Sequence, residues 1–326
     1  MNEDFKSIEH ALSLLCEVHK ADKVFILTDS NVAPLVSDLL PGVPRLVVEA
    51  GEDSKSLDGA RKVWCFLEKN KAIRRSVLIN IGGGMVSDLG GFAASTFKRG
   101  IGYINLPTTL LAAVDASIGG KTGVNFAGLK NEIGVFALPL GVFPIVSLFE
   151  SLSSQEWLSG VGEAIKAGLL DSEELYLLAT SKSFIEERNP EVVAEVVKRC
   201  AAFKSYVVKD DFKEKGKRKI LNLGHTAGHA IEEWMMSRGE YIPHGVAVAH
   251  GLRISLEKSC DIVGLDERVL VEYTDVLSQY FPPLEISSSQ WEEVAAFMAR
   301  DKKSERVGKP SWVLLESIGR PIVWNP

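Results

Sequence analysis

The sequence has few cysteines and no long apolar run. Its four cysteines are scattered over 326 residues without a CxxC pair, so neither a disulfide framework nor a thiolate zinc site is predicted. No apolar stretch approaches the roughly 20 residues needed to span a bilayer. Residues 1–19 are acidic and amphipathic, unlike a signal peptide. We therefore expect a cytoplasmic protein with no membrane partner.

The chain also lacks an excess of positive charge, because 43 acidic residues against 37 basic ones give a formal net charge of −6. Nucleic acids and anionic membrane surfaces attract proteins through a broad basic field, so neither partner is expected. The net charge does not exclude a local basic pocket for a small anion. With 46% hydrophobic residues, a chain of this length can bury a substantial core and is expected to form two domains.

The first half of the chain alternates between short apolar runs and stretches with helical spacing. The apolar runs, typical of buried strands, are residues 23–29, 46–48 and 76–81. Helical spacing at residues 32–40 and 57–70 fits crossover helices. This alternation predicts an α/β domain with a parallel sheet over residues 1–153.

The second half is dominated by helical spacing. Helices are predicted at residues 155–170, 173–185, 191–208, 226–236, 245–263 and 267–280. A strand is predicted only at residues 312–315. We therefore predict a mainly helical domain over residues 154–326.

Three consecutive glycines, residues 82–84, follow the third predicted strand and open a helix. Backbone without Cβ atoms can approach a pyrophosphate closely, and the amides at a helix start favour an anion. The triplet indicates either a dinucleotide site or simply a tight turn, since the GxGxxG fingerprint is missing. Likewise, Asp29 and Asn31 lie where a sheet presents ligand contacts, but Asp29 can also cap the next helix.

Four of the six histidines fall between His225 and His250. On a helix, His225 and His229 are one turn apart and face the same side, and His244 is predicted to lie at the start of the next helix. A catalytic zinc site takes three nitrogen or oxygen ligands, and Glu163, a carboxylate among small residues, is the best candidate for another ligand. A hydrogen-bonded core and a metal-free acid–base site remain alternatives, and Lys166 can be the partner of Glu163. His250 is predicted to be an ordinary helix residue.

Several basic residues lie within motifs rather than in charge runs. Lys121 stands alone in a glycine-rich loop after Asp115, a setting suited to phosphate, although GxxxxGK[ST] is not satisfied. Taken singly, Lys204 and Arg218 fit a solvated surface equally well. The others in this group are Arg99, Lys166, Lys302 and Lys303. Their occurrence alongside the histidines raises the expectation of an anion pocket.

Taken together, these segments resemble the 3-dehydroquinate synthase family. The motifs run through most of the chain: TDSNV (28–32), GEDSKSL (51–57), GGGMVSDLGGFAASTFKRG (82–100), LPTTLLAAVDASIGGKTGVN (106–125), KNEIGVF (130–136), GVGEAIKAG (160–168), RKILNLGHTAGHAIE (218–232), HGVAVAHG (244–251) and DKK (301–303). The resemblance implies an N-terminal NAD-binding domain, a helical C-terminal domain and an active site in the cleft between them.

The resemblance also implies which residues bind each ligand. The implied ligands of one divalent metal, zinc or cobalt, are Glu163, His225 and His244, with His229 contacting substrate instead. The implied NAD contacts are Asp29, Asn31, Glu52, Lys55, Gly83, Gly84, Asp88, Thr108, Thr109, Lys130, Ser151 and Glu156. The implied catalytic and substrate contacts are Arg99, Asp115, Lys121, Asn131, Lys166, Lys204, Glu214, Arg218, Asn222, His229 and Lys302 or its neighbour Lys303.

The activity implied by the resemblance is a lyase step of the shikimate pathway for aromatic amino acids. The substrate, 3-deoxy-D-arabino-heptulosonate 7-phosphate, is oxidised transiently by NAD, loses phosphate by β-elimination, is reduced again and closes by an intramolecular aldol step to 3-dehydroquinate. A homodimer is expected, as is common in the family. Two departures from the family pattern are Ile145, within a poorly matching segment at residues 137–152, and Glu132.

Three other functions compete with this one. A related sugar phosphate cyclase that makes a valiolone or an inosose would lack some of the residues that bind the carboxylate and phosphate. In this chain, the residues that match the dehydroquinate type are Lys204, Arg218, Asn222 and Asn131. A polyol dehydrogenase would release NADH in net amounts. A non-catalytic NAD-binding protein would have no use for the Glu163, His225 and His244 constellation.

Overall fold

The computed structural model describes residues 8, 12–13, 20–298 and 310–326. These fall into two compact units, residues 1–152 and 153–326, named here the α/β unit and the helical unit. The predicted fold class is confirmed: a parallel sheet with crossover helices in the first unit and mainly helices in the second.

The α/β unit is built on a four-stranded parallel sheet in the order β2-β1-β3-β4. Its strands are β1 (Val24–Asp29), β2 (Arg45–Val48), β3 (Val77–Gly82) and β4 (Gly102–Pro107), with helix α1 (Leu57–Lys69) before β3 and α2 (Gly84–Thr96) after it. Alternate side chains of β1 enter two different core clusters, Phe25 and Leu27 one of them and Ile26 the other. The sheet is therefore covered on both faces, which explains the continuous apolar runs.

A second, antiparallel hairpin joins β5 (Lys121–Phe126) and β6 (Leu129–Phe136). Between β4 and this hairpin, residues Ala112–Ala116 form a short π-helix. The poorly matching segment after β6 runs beside β4: the Phe143 amide donates to the Asn105 carbonyl at 2.9 Å, and Ile145 is fully buried in the sheet core. The apolar departure at Ile145 is thus explained by packing against the sheet.

The helical unit contains eight helices and a terminal hairpin among its described residues. They are α3 (Ser154–Asp171), α4 (Glu173–Ala179), α5 (Lys182–Ile185), α6 (Pro190–Asp210), α7 (His225–Ser237), α8 (His244–Val263), α9 (Glu267–Tyr280), α10 (Ser288–Met298), β7 (Trp312–Ser317) and β8 (Arg320–Trp324). Helix α3 starts with a capping box formed by Ser153 and Glu156. Each of the six predicted segments of this half contains helix.

One predicted helix is absent and another was wrong in extent. Residues 32–40 form successive turns, because Pro34 lacks an amide donor and disfavours helical geometry at the residue before it. The segment 173–185 is two helices, since the Ser181 hydroxyl accepts from the Phe184 amide at 3.2 Å and starts a new helix there. Helix α10 and the strands β4, β5, β6 and β8 were not predicted.

Candidate active site

The predicted NAD contacts of the α/β unit gather along one edge of the sheet. Because the four strands are parallel, their carboxyl ends meet there, and the strand order changes direction between β1 and β3. In sheets of this kind, ligands bind at such a switch point. The candidates that follow the four strand ends are Asp29, Asn31, Glu52, Lys55, Gly83, Gly84, Asp88, Thr108 and Thr109.

The glycine loop at this edge fits an anion. No side chain among the described residues caps the start of α2, so its first amides are available to a ligand. A Cβ on Gly83 would lie 3.1 Å from Thr109 Cγ2, and one on Gly84 would lie 3.2 Å from Ala116 Cβ. The 109–116 segment thus packs closely against the loop and leaves little room for a side chain at either glycine.

A polar network beside this loop links three elements. Lys55 is buried, with its Nζ 2.5 Å from Asp88 Oδ2 and 3.7 Å from Glu52 Oε1. Asn125 Nδ2 donates to Glu52 Oε1 at 2.9 Å, and Asn125 Oδ1 accepts from the Asn131 amide at 2.9 Å. Asn125 therefore ties the Glu52–Lys55 turn to the β5–β6 hairpin. Asn125 lies within the motif at residues 106–125, but no role was predicted for it.

Two other predicted NAD contacts of this unit also have structural roles. Asp29 Oδ1 accepts from the amides of Asn31 at 2.9 Å and Val32 at 3.0 Å, which shapes the turn after β1. The Ser151 hydroxyl donates to the Leu148 carbonyl. In the helical unit, Glu156 belongs to the capping box of α3. Their NAD contacts stay predictions.

Several predicted substrate contacts have unusual backbone geometry. Arg99, Asn131 and Glu214 have φ angles of 70°, 55° and 55°, in the left-handed region that non-glycine residues rarely adopt. Strain of this kind persists where the surrounding structure enforces it. Asp115 lies in the π-helix, a form that is frequent at functional sites.

The two predicted lysine contacts of the β5–β6 hairpin are exposed. They are Lys121, a predicted substrate contact, and Lys130, a predicted NAD contact.

In the helical unit, the candidate metal ligands stand beside glycines at helix crossings. A Cβ on Gly162 would lie 2.1 Å from the Gly245 carbonyl oxygen, and one on Gly245 would lie 1.7 Å from the Ser159 carbonyl oxygen. The crossing of α3 and α8 is therefore possible only with glycine at both positions. It brings together their chain neighbours, Glu163 and His244.

Helix α7 crosses α8 in the same manner. A Cβ on Gly228 would lie 3.0 Å from Val248 Cα, and one on Gly251 would lie 2.1 Å from the Gly224 carbonyl oxygen. The residues next to Gly224 and Gly228 are His225 and His229. All four candidate side chains thus project from helices that approach one another closely.

The distances among these side chains match a metal site. His225 Nε2 is 3.6 Å and His244 Nε2 is 3.4 Å from Glu163 Oε1. Ligand atoms held about 2.0–2.1 Å from a tetrahedral zinc ion lie about 3.4 Å from one another. The separations are long for direct hydrogen bonds but suit three atoms that share an ion.

Each of the two imidazoles is oriented by its other nitrogen. His225 Nδ1 donates to the Leu223 carbonyl at 3.1 Å, and His244 Nδ1 donates to Glu232 Oε2 at 3.0 Å. Both Nε2 atoms are thereby left to accept a metal. Glu232 is a further functional candidate that the sequence analysis missed.

His229 belongs to the same cluster. A ligand atom of each of His225, His229 and His244 lies within 4.8 Å of the others, and the ring centroids are 5.1–5.6 Å apart. The structure therefore brings together both members of the HTAGH pair, and geometry alone permits either histidine to approach an ion.

Two buried carboxylates determine the electrostatics of the cluster, chiefly through the pKa of His244. Glu163 is almost fully buried, and its Oε2 is in ion-pair contact with Lys166. Its Oε1 has no hydrogen-bond donor within the described part of the chain. Desolvation lowers the pKa of His244, but Glu163 and Glu232 outweigh it and raise that pKa to about 9. The site thus attracts positive charge.

Buried cations lie on elements packed around α3. Lys204 on α6 and Arg218 in the segment Lys217–Asn222 are both buried, and α6 and this segment each contact α3 and one another. Asn222 Nδ2 donates to Glu214 Oε1 at 2.9 Å. Predicted Lys302 lies outside the described residues.

Asp211 shapes the loop that carries these residues. Its carboxylate accepts from the amides of Gly216, Lys215 and Arg218 at 2.7–3.1 Å. These hydrogen bonds, that of Gly216 first, hold the pKa of Asp211 below its ordinary value. Asp211 was not predicted as a functional residue, because nothing in its spacing distinguishes it from a solvated surface acid.

Family models match both halves of the chain. The model described as 3-dehydroquinate synthase N-terminal matches residues 45–159, and the one described as 3-dehydroquinate synthase C-terminal matches residues 160–304. The chain belongs to the 3-dehydroquinate synthase family. This membership identifies it as an enzyme. A 3-dehydroquinate synthase of Parabacteroides distasonis is 41% identical over 307 residues, which cover 92% of this chain and 86% of that protein.

Solved structures share the fold of this 3-dehydroquinate synthase family member. A 2-epi-5-epi-valiolone synthase from Streptomyces hygroscopicus, with NAD+ and Zn2+ bound, has a TM-score of 0.82 and 24% identity, covering 93% of this chain and 87% of that one. A 2-deoxy-scyllo-inosose synthase complexed with carbaglucose-6-phosphate, NAD+ and Co2+ has a TM-score of 0.76 and 24% identity, covering 93% and 85%. Among the described residues, no helix has the length and apolar character of a membrane span.

Proposed function

We propose that the chain converts 3-deoxy-D-arabino-heptulosonate 7-phosphate to 3-dehydroquinate and phosphate, using NAD and one divalent metal. The observation that carries this proposal is the convergence of Glu163, His225 and His244, with Nε2 to Oε1 separations of 3.4 and 3.6 Å, in a chain 41% identical to a 3-dehydroquinate synthase. In reaction class, the enzyme is a carbon–oxygen lyase that eliminates phosphate.

The residues of the α/β unit fit NAD. The loop Gly82–Gly84 and the uncapped start of α2 provide amides for the pyrophosphate. The buried Thr108 hydroxyl has no hydrogen-bond partner among the described residues, as expected of a group that faces a ligand. The Glu52, Lys55 and Asp88 network lies beside the same loop.

The residues of the helical unit fit zinc or cobalt. The donor set of one carboxylate and two imidazoles is common in catalytic zinc sites, and the orphaned Glu163 Oε1 faces both Nε2 atoms. We assign Glu163, His225 and His244 as ligands and His229 as a substrate contact. When bound, the metal would supply Lewis acidity and NAD would supply reversible hydride transfer.

The buried cations account for binding an anionic substrate. Lys166, Lys204 and Arg218 are at most 8% exposed, and a charge held away from water interacts strongly with an opposite charge. We assign them to the phosphate and carboxylate of the substrate, which they would hold in one orientation for reaction. Within the helical unit, Glu214 and Asn222 are two further members of the predicted set and share a hydrogen bond.

The decisive experiment measures phosphate release from the heptulosonate phosphate. Release is expected only when both NAD and metal are present, with no net NADH formed, and a chelator should abolish it. Stoichiometric NADH would indicate a polyol dehydrogenase. Phosphate from sedoheptulose 7-phosphate but not from the heptulosonate would indicate a valiolone-type cyclase, and failure to bind metal at full NAD occupancy would indicate a non-catalytic protein.

We also propose that the chain forms a homodimer and is located in the cytoplasm. Sedimentation would test the homodimer, and cell fractionation would test the location.

A further inference from the structure

Glu232 is a buried carboxylate in the helical unit for which the proposed chemistry has no direct use. It lies on α7, three residues after His229, and is 9% exposed. Its Oε2 accepts from His244 Nδ1 at 3.0 Å, on the opposite side of the imidazole from Glu163. Burying a carboxylate is costly unless a partner compensates, so this contact needs a reason.

The two histidines opposite Glu163 are oriented by different groups. His225 Nδ1 donates to a backbone carbonyl, that of Leu223, which no side-chain substitution removes. His244 Nδ1 donates to a side chain. A neutral imidazole carries one N–H, and the group that accepts it decides which nitrogen keeps a lone pair. The orientation of His244 therefore depends on one replaceable residue.

We propose that Glu232 is a positioning residue that holds His244 with its Nε2 lone pair directed at a divalent metal. This inference rests on the proposed metal site at Glu163, His225 and His244. The carboxylate fixes the tautomer and the ring angle, and its charge makes the imidazole a stronger donor to the ion. It also adds a second negative charge close to the cation, beside that of Glu163.

The test compares cobalt and zinc binding to the full chain carrying E232A, E232Q or E233A. Glu233 is the next residue on α7 and is exposed, so E233A is a matched control. Dissociation constants come from competition with a chromophoric chelator, and the visible absorption of bound Co2+ reports the ligand geometry. Loss of such an outer partner typically weakens metal binding about 10–100-fold.

We expect E232A to weaken binding by that factor and to alter the Co2+ spectrum, while E233A behaves like the wild type. E232Q keeps an oxygen that accepts from Nδ1, so it should retain the spectrum and lose affinity by a smaller factor. Should E232A fail to fold, the affinity loss in E232Q decides. Wild-type affinity and spectrum in the folded E232 variants would overturn the role of Glu232. Absence of metal binding by the wild-type chain would instead overturn the proposed metal site itself.

Discussion

Glu163 takes part in two interactions at once, a buried ion pair with Lys166 and the proposed metal site. Replacing it with glutamine leaves Lys166 charged and buried without this carboxylate. Breaking a buried pair from one side costs about 3–5 kcal/mol, so metal-free E163Q should be destabilised by about that amount and should no longer bind metal. Urea unfolding and metal titration measure the two effects.

The double variant E163Q/K166M separates stability from binding. Removing both charges should recover most of the unfolding free energy, because replacing a buried pair with apolar groups is often neutral, yet metal binding should stay lost. If E163Q instead binds metal with wild-type affinity, Glu163 is not a ligand and its contact with Lys166 is purely structural.

Asn125 has a comparable linking position in the α/β unit. Its side chain joins Glu52 on one side and the Asn131 amide on the other. N125A removes both hydrogen bonds, which together are worth about 1–3 kcal/mol, so NAD should bind roughly 5–150-fold more weakly by calorimetry. N70A is a suitable control, since Asn70 Nδ2 donates within its own helix end, to Phe66. Equal NAD affinity in N125A and the wild type would show that these two hydrogen bonds do not contribute to NAD binding.

At the scale of elements, the helix crossings determine whether the metal ligands meet. In G245A, the new Cβ would lie 1.7 Å from the Ser159 carbonyl oxygen, so α3 and α8 must separate. Overpacking of this kind costs about 1–3 kcal/mol, and the displacement should separate Glu163 from His244. We therefore expect a lower unfolding free energy together with weaker metal binding.

Gly216 provides the control for this variant. A Cβ there would meet nothing closer than Asp211 Oδ2 at 3.9 Å, so the substitution forces no helix crossing apart. G216A should keep the metal affinity of the wild type. A G245A protein that is destabilised but binds metal normally would show that the crossing does not set the ligand geometry.

The sequence predicted elements whose cause is local and missed those whose cause is distant. Long helices such as α6 and α8 follow from periodic apolar residues, and the strands β1 and β3 follow from short buried runs. The predicted helix at residues 32–40 failed because Pro34 acts on hydrogen bonds that periodicity ignores. Strand β8 depends on its pairing with β7, which no local pattern reveals.

The same distinction applies to the site. One-turn spacing placed His225 and His229 on one face, and small neighbours marked Glu163 as unusual. The roles of Asn125 and Glu232 depend on partners 73 and 12 residues away. Neither spacing nor composition distinguishes such residues from surface polar groups, so their contacts had to come from coordinates.

At the scale of the whole molecule, the two proposed ligands fall on different units. The NAD candidates of the sheet edge lie within residues 1–152, and the metal candidates lie within residues 153–326. A ligand that binds the folded state stabilises it by mass action, by about 2.7 kcal/mol at a concentration 100 times its dissociation constant. Each ligand should therefore stabilise chiefly the elements that contact it.

Hydrogen exchange of the full chain would test this division. NAD alone should slow exchange of amides in the Glu52–Ser54 turn and the first turn of α2, whereas zinc alone should slow exchange in α3, α7 and the start of α8. For NAD, the expected protection follows from the uncapped amides at the start of α2. For zinc, it follows from the convergence of His225 and His244 on Glu163. Because protection reflects the free energy of local opening, E163Q should abolish the zinc effect and leave the NAD effect intact. Zinc protection confined to the α/β unit would contradict the assignment of the metal to the helical unit.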